Sequence, residues 1–193
     1  RLLAAALCLL GAVQAQAADF SLNGISYNIL SMADLTCEVA KRSSGSYSGD
    51  IVIPETVTYS GRTFTVTQIG EGAFSSASTL FTVKCPDTVT SIDTDAFRYC
   101  RNLVSVECNS IVTIGESAFS GCSSLKSVTI PNTVTAIYDS TFEGCSSLTS
   151  VTIPNSVTEI GMSAFNGCSN LTSVTFPNSV TTIEYSTFKG CSS

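Results

Sequence analysis

The chain has 193 residues, 44% of them hydrophobic and only 12% charged, with neither Trp nor His. Its 9 Lys and Arg against 15 Asp and Glu leave a net charge of −6. No basic stripe is available for nucleic acid, and anionic membrane surfaces are disfavoured for the same electrostatic reason.

The first residues read as an export address. Arg1 supplies a positive start, Leu2 to Val13 an apolar run, and Ala15-Gln16-Ala17 an A-x-A cleavage site, so residues 1–17 are expected to be a signal peptide with a truncated start. The run is too short to span a bilayer comfortably. Cys8 as a lipidated residue is the rival use, but Leu7 is too bulky for the position before such a cysteine, and the apolar run continues past it.

Residues 18–66 have a different rhythm. Phe20 to Leu30 and Thr36 to Ala40 read as short strands joined by the turn-prone Asn23-Gly24 and Ala33-Asp34. Lys41 to Ser48 is a polar loop, and Asp50-Ile-Val-Ile-Pro54 matches a strand that recurs later. Ser60-Gly61 reads as a hairpin tip between Thr56–Tyr59 and Arg62–Val66. This stretch is expected to be a β-rich N-terminal cap, because a solenoid exposes its apolar core at each end.

From residue 67 to 193 one unit repeats. Phe74, Phe97, Phe119, Phe142, Phe165 and Phe188 are spaced 23, 22, 23, 23 and 23 apart. Such a period signals a stack of identical supersecondary units, none of which can bury its own faces. The most regular copy is Leu148-Thr-Ser-Val-Thr-Ile-Pro-Asn-Ser-Val-Thr-Glu-Ile-Gly-Met-Ser-Ala-Phe-Asn-Gly-Cys168. Val151 and Ile153 alternate with Thr152, which marks a strand with one face inward. Pro154 ends it, and Pro-Asn-Ser is turn chemistry. Val157-x-x-Ile160 begins a return leg, Ala164-Phe165 turns inward, and Gly167 permits the reversal into Cys168. Stacking in register predicts one continuous parallel sheet. Val106/Cys108, Val128/Ile130, Val151/Ile153 and Val174/Phe176 should point inward on successive rungs. The chain stops in mid-repeat, two residues after Cys191.

The template L-x-x-V-x-I-P-x-x-V-x-x-I-G-x-x-A-F-x-G-C resembles the BspA-like, or Treponema-type, leucine-rich repeat, and it covers about residues 50–193. Ala77 replaces the rung cysteine of the first copy, and the copy ending at Cys122 lacks its Pro. The resemblance implies export to the cell surface and binding of host or neighbouring-cell proteins, including extracellular-matrix glycoproteins.

Cys100, Cys122, Cys145, Cys168 and Cys191 follow the repeat itself. With no C-x-x-C and no His to complete a zinc site, they read as a column of reduced, buried thiols. Bridges between adjacent rungs are the alternative. They are disfavoured because parallel Cβ vectors hold the Cβ atoms near the rung spacing, beyond the usual ~3.8 Å. Cys85 and Cys108 occupy the inward strand position filled elsewhere by Ile130, Ile153 and Phe176. The same strain argument favours coincidental packing there over a bridge. Cys37 has no partner that the sequence names.

Catalysis finds little support: without His the commonest general base is absent, and no cofactor motif or metal set is visible. Asp93, Asp95, Glu116, Asp139, Glu159 and Glu184 spread singly over the rungs, the pattern of a solvated stripe. The calcium-binding G-G-x-G-x-D pattern is lacking. Asn170-Leu-Thr is a formal glycosylation sequon, which repeat drift explains equally well.

The exposed strand positions are the candidate partner-binding surface: Ser127, Thr129, Ser150, Thr152, Ser173 and Thr175, varied toward the cap by Lys84 and Glu107. Outward Thr is also what any half-exposed strand prefers. Tyr99, Tyr138 and Tyr185 lie off the core columns and are available as anchors. The leading expectation is an exported adhesion solenoid binding extracellular proteins. A spacer presenting a distal domain, or the targeting region of a larger enzyme, are the alternatives.

Overall fold

A computed structural model describes residues 17–193, and the leader reading of the segment before them lies outside the described residues. Fourteen strands and no helix make up the described chain. β1 (Phe20–Leu22), β2 (Ile25–Ser31) and β3 (Thr36–Ala40) form an antiparallel meander. Its first turn is Asn23-Gly24, both in the left-handed region at φ 50° and 81°, which is the twist-matched geometry of a two-residue hairpin. β4 (Ser48–Val52) is the first copy of the repeat strand. β5 (Thr56–Tyr59) and β6 (Arg62–Ile69) close a hairpin over Ser60 and Gly61, again left-handed at φ 50° and 75°.

Three repeats then contribute two strands each, while the copy from Leu125 contributes only a return strand and the copy from Leu171 only an outbound one. β7 (Thr79–Lys84), β9 (Ser105–Glu107), β12 (Ser150–Thr152) and β14 (Ser173–Thr175) are outbound strands. β8 (Ser91–Ile92), β10 (Thr113–Ile114), β11 (Ala136–Ile137) and β13 (Glu159–Ile160) are return strands. All pairs between repeats are parallel. The outbound ladder runs β4-β7-β9 and resumes as β12-β14; the return ladder runs β3-β6-β8-β10 and resumes as β11-β13.

The expected single continuous sheet is therefore corrected to broken ladders. Both break after the copy that lacks Pro. There Leu103 and Ile111 are 8 residues apart, where Leu80 and Val89 or Leu125 and Val134 are 9 apart. A turn one residue short shifts the outbound leg, and residues 127–130 of the next copy form no ladder on either side. Gly161 packs so tightly on the previous rung that a Cβ would meet Asp139 N at 2.7 Å and Tyr138 C at 2.8 Å. β11 and β13 pair there. Asp93 takes the same position on an earlier rung, and β8 still pairs with β6 there, so the residue at this position does not by itself decide the pairing.

Between the ladders lies one apolar core. Phe74, Phe97, Phe142 and Phe165 are wholly buried, and Phe119 nearly so. Successive rings from Phe74 to Phe188 stack with centroids 5.1, 5.2, 5.5, 5.4 and 5.4 Å apart, and Tyr47 closes the N-terminal end of the stack at 4.6 Å from Phe74. The inward assignment holds for Ile130, Val151 and Ile153, which are buried, while Val106, Cys108, Val128 and Val174 are half-buried. Phe176 departs from it at 42% exposed, packing edge-on against Phe188 at 5.7 Å.

Each rung reverses through two left-handed residues. The first is Asp95, Ser117, Ser140, Ser163 or Ser186, and the second is Tyr99, Gly121, Gly144, Gly167 or Gly190. At the second position the glycines also stack: a Cβ on Gly167 would lie 3.6 Å from Gly144 Cα. The thiols fill the niche beside this reversal. Cys100, Cys122, Cys145, Cys168 and Cys191 are unbridged, and each Sγ donates to the carbonyl of a phenylalanine one rung back, at 3.0 to 3.2 Å.

Candidate functional site

Alternation along the outbound strands decides which side chains meet solvent. Lys84, Glu107, Ser127, Thr129, Ser150, Thr152, Ser173 and Thr175 are all exposed. Parallel pairing places Ser150 beside Ser173, Thr152 beside Thr175, and Lys84 beside Glu107. Lys84 Nζ stands 4.0 Å from Glu107 Oε2, both side chains about two-thirds exposed, a geometry that contributes about 0–1 kcal/mol. The structure thus gathers these residues on one face. It also divides them into a Lys84–Glu107 group, a Ser150–Thr175 group, and the unpaired rung with Ser127 and Thr129 between. An open cleft of about 480 Å³ separates that rung from the next, lined by Ser127, Thr129, Ser150, Thr152 and their turns.

Exposed apolar residues missed by the sequence reading lie at the start of the two cap-proximal outbound legs, beside this face. Phe81 is 47% exposed and Val104 39%, and Val104 N donates to Phe81 O at 2.8 Å, so the two are neighbours on adjacent rungs. The signal was present in the repeat alignment, where later copies carry Lys126, Thr149 and Thr172 at that position.

Cys85 and Cys108 contradict the favoured sequence reading. They form a disulfide, with Cα atoms 4.8 Å apart. Side chains held parallel inside a ladder keep their Cβ atoms near the rung spacing, too far apart for an ordinary bridge. Both cysteines instead lie one residue past their strands, where the side chains are free to converge.

The remaining candidates stay apart. Asp95 pairs with Arg98 at 3.4 Å, and Arg98 lies over the Tyr99 ring at 4.9 Å. Among the described residues no three His, Cys, Asp or Glu side chains gather as a metal site, and no helix is long and apolar enough to cross a membrane. Burial pushes the Cys100 and Cys168 thiols up to about 12 and the Cys37 thiol to about 11, so none is a ready nucleophile at neutral pH. Tyr99, Tyr138 and Tyr185 are exposed as expected, and so is Asn170.

Stacked rungs of roughly 23 residues, parallel ladders and a phenylalanine spine define a leucine-rich-repeat solenoid. The chain belongs to the BspA-type leucine-rich repeat family: six copies of that repeat match residues 67–193. Solved structures agree. A leucine-rich repeat protein from Bacteroides ovatus is 34% identical with a TM-score of 0.84, over 90% of this chain and 45% of that one. The present chain therefore spans less than half of that protein's length. A leucine-rich repeat protein of T. pallidum is 29% identical with a TM-score of 0.76, over 86% of this chain and 75% of that one. A leucine-rich cell surface protein from Faecalibacterium prausnitzii is 26% identical with a TM-score of 0.53, over 81% of this chain and 54% of that one. No curated protein sequence matches the chain.

Proposed function

We propose that this chain is an exported, non-enzymatic surface protein that binds extracellular proteins through its outbound sheet face. The observation that carries the reading is the exposed array from Lys84 to Thr175, with Phe81 and Val104 as apolar anchors beside it. Stacking holds the array rigid, so binding costs little ordering, and an extended partner can engage several rungs at once. The A-x-A segment before Ala18 and the cell-surface description of the F. prausnitzii protein support export. In this reading residues 1–17 are the leader, residues 18–66 the cap that shields the first rung, and residues 67–193 the binding repeats.

The test is capture of purified matrix glycoproteins by the full chain and by the double variant Thr152→Lys, Thr175→Glu. Both positions face solvent, so thermal stability should stay nearly unchanged while capture falls about tenfold, roughly 1.4 kcal/mol. Equal capture by the variant would remove the face as the site. No capture by the parent would favour a spacer.

A further inference from the structure

A second surface lies on the return leg, where one repeat position reads Asp93, Gly115, Tyr138 on three successive rungs. Gly115 has no room for a side chain: a Cβ would fall 2.5 Å from Thr94 N and 2.7 Å from Asp93 C. Its rung is therefore recessed between two that carry side chains. The result is a notch of about 220 Å³, with Tyr138 at one end, Asp93 and Glu71 toward the other, and Thr113 and Gly115 on its floor. Tyr138 is 44% exposed.

The carboxylate at the notch is held in place. Thr113 Oγ1 donates to Ser91 Oγ at 2.9 Å, and Ser91 Oγ donates to Asp93 Oδ1 at 2.9 Å. Gln68 Nε2 reaches Asp93 Oδ2 at 3.5 Å while donating to Glu38 Oε2 at 2.8 Å. Among the described residues, Asp93 and Glu71 have no cationic partner; the two salt bridges lie elsewhere, at Lys84–Glu107 and Arg98–Asp95. Asp93 and Tyr138 stand two rungs apart, about 10 Å along the stack. That distance leaves room for one cationic head group touching a carboxylate on one side and an aromatic ring on the other.

We propose that this notch receives a Lys or Arg side chain from a basic segment of a partner protein. The charge is complementary, the ring offers a cation–π contact, and the acidic net charge of the chain favours the encounter. Glu116 and Asp139, on the next two rungs, extend the same negative edge and add no competing positive charge. This surface is separate from the outbound face and does not depend on it.

Fluorescence anisotropy of the full chain with a labelled hexa-arginine peptide tests the assignment, using neutral hexa-citrulline as control. Tyr138→Ser and Asp93→Asn should each weaken arginine-peptide binding at least fivefold. Asp87→Asn removes the same charge from an exposed turn at another position and should change it less than twofold. Thr152→Lys with Thr175→Glu should leave notch binding essentially intact, which separates this site from the outbound face. A thermal melt of each variant confirms folding. Equal losses for Asp93→Asn and Asp87→Asn, with none for Tyr138→Ser, would reduce the effect to general charge attraction and overturn the site. So would an absence of peptide binding by the parent, or equal binding of the citrulline peptide. Tyr138-dependent binding of a neutral oligosaccharide, in place of the peptide, would assign the notch to a glycan and overturn it too.

Discussion

Cys168 Sγ donates to the carbonyl oxygen of Phe142 at 3.2 Å, across 26 residues of chain. The same bond recurs at every rung from Cys100 to Cys191, so the thiol column and the phenylalanine spine are one structure: each thiol satisfies the backbone of the rung before it. Both columns depend on neighbours on either side, and damage to one rung is felt by the next.

Phe142 sits between Phe119 and Phe165, with centroids 5.5 and 5.4 Å away, and is wholly buried. Phe142→Ala should cost about 3–5 kcal/mol, because the gap between two fixed rungs cannot collapse. Chemical denaturation measures it. A loss below about 1 kcal/mol would mean that the rungs close over the cavity.

Alkaline pH should weaken the fold through the thiols. Below about pH 9 they are protonated both folded and unfolded, and the stability they allow is fully present. Above it the unfolded chain releases protons, while burial holds Cys100 and Cys168 near 12. Stability therefore falls between pH 9 and 12, by at most about 1.4 kcal/mol per pH unit for each such thiol. Cys168→Ala should flatten the decline by one thiol's share, and Ala77 in the first copy shows that the niche accepts alanine. Denaturant titrations at several pH values read the slope; an unchanged slope in the variant would place the alkaline loss elsewhere.

The Cys85–Cys108 bridge closes a loop with a sequence separation of 23 residues. Its reduction should destabilise the repeats by about 2–4 kcal/mol. Intact mass under non-reducing conditions should show one bridge, a deficit of two mass units. Cys122, Cys145 and Cys168 should alkylate only after unfolding. Alkylation of Cys85 and Cys108 in the native chain would contradict the bridge.

Much of this fold was legible in the sequence because a repeat reports each position several times. Phe, Ala and Cys at fixed offsets placed the spine, and Pro with alternating Val and Ile placed the outbound strands. What stayed hidden depends on departures from the average. The short turn after Cys108 was visible as a missing Pro, but its consequence, loss of both ladders at the next rung, needs the register of two strands at once. The bridge is hidden because the Cβ geometry of a ladder does not hold for Cys85 and Cys108, which lie just past their strands. Phe81 and Val104 stand where the later copies carry polar residues, so the average repeat hides their apolar exposure.

The interrupted ladders make a further expectation. Outbound pairing joins Thr82 to Ser105 and Lys84 to Glu107, whereas residues 127–130 pair with neither neighbour. Amides of Val128, Thr129 and Ile130 should exchange with solvent at least tenfold faster than those of Thr82 and Lys84. Inserting one Pro between Cys108 and Asn109 restores the 23-residue period and should slow them. Hydrogen exchange with mass detection measures both; uniform protection along the stack would mean that the short turn has no mechanical consequence.

The claim that the outbound face binds protein is tested most directly by side-chain oxidation footprinting of the full chain, alone and saturated with a captured matrix glycoprotein. Phe81, 47% exposed beside that face, should be protected several-fold on binding, and Tyr185, 78% exposed on the return side of its rung, should not change. Protection of Tyr185 with Phe81 still fully oxidised would contradict the account.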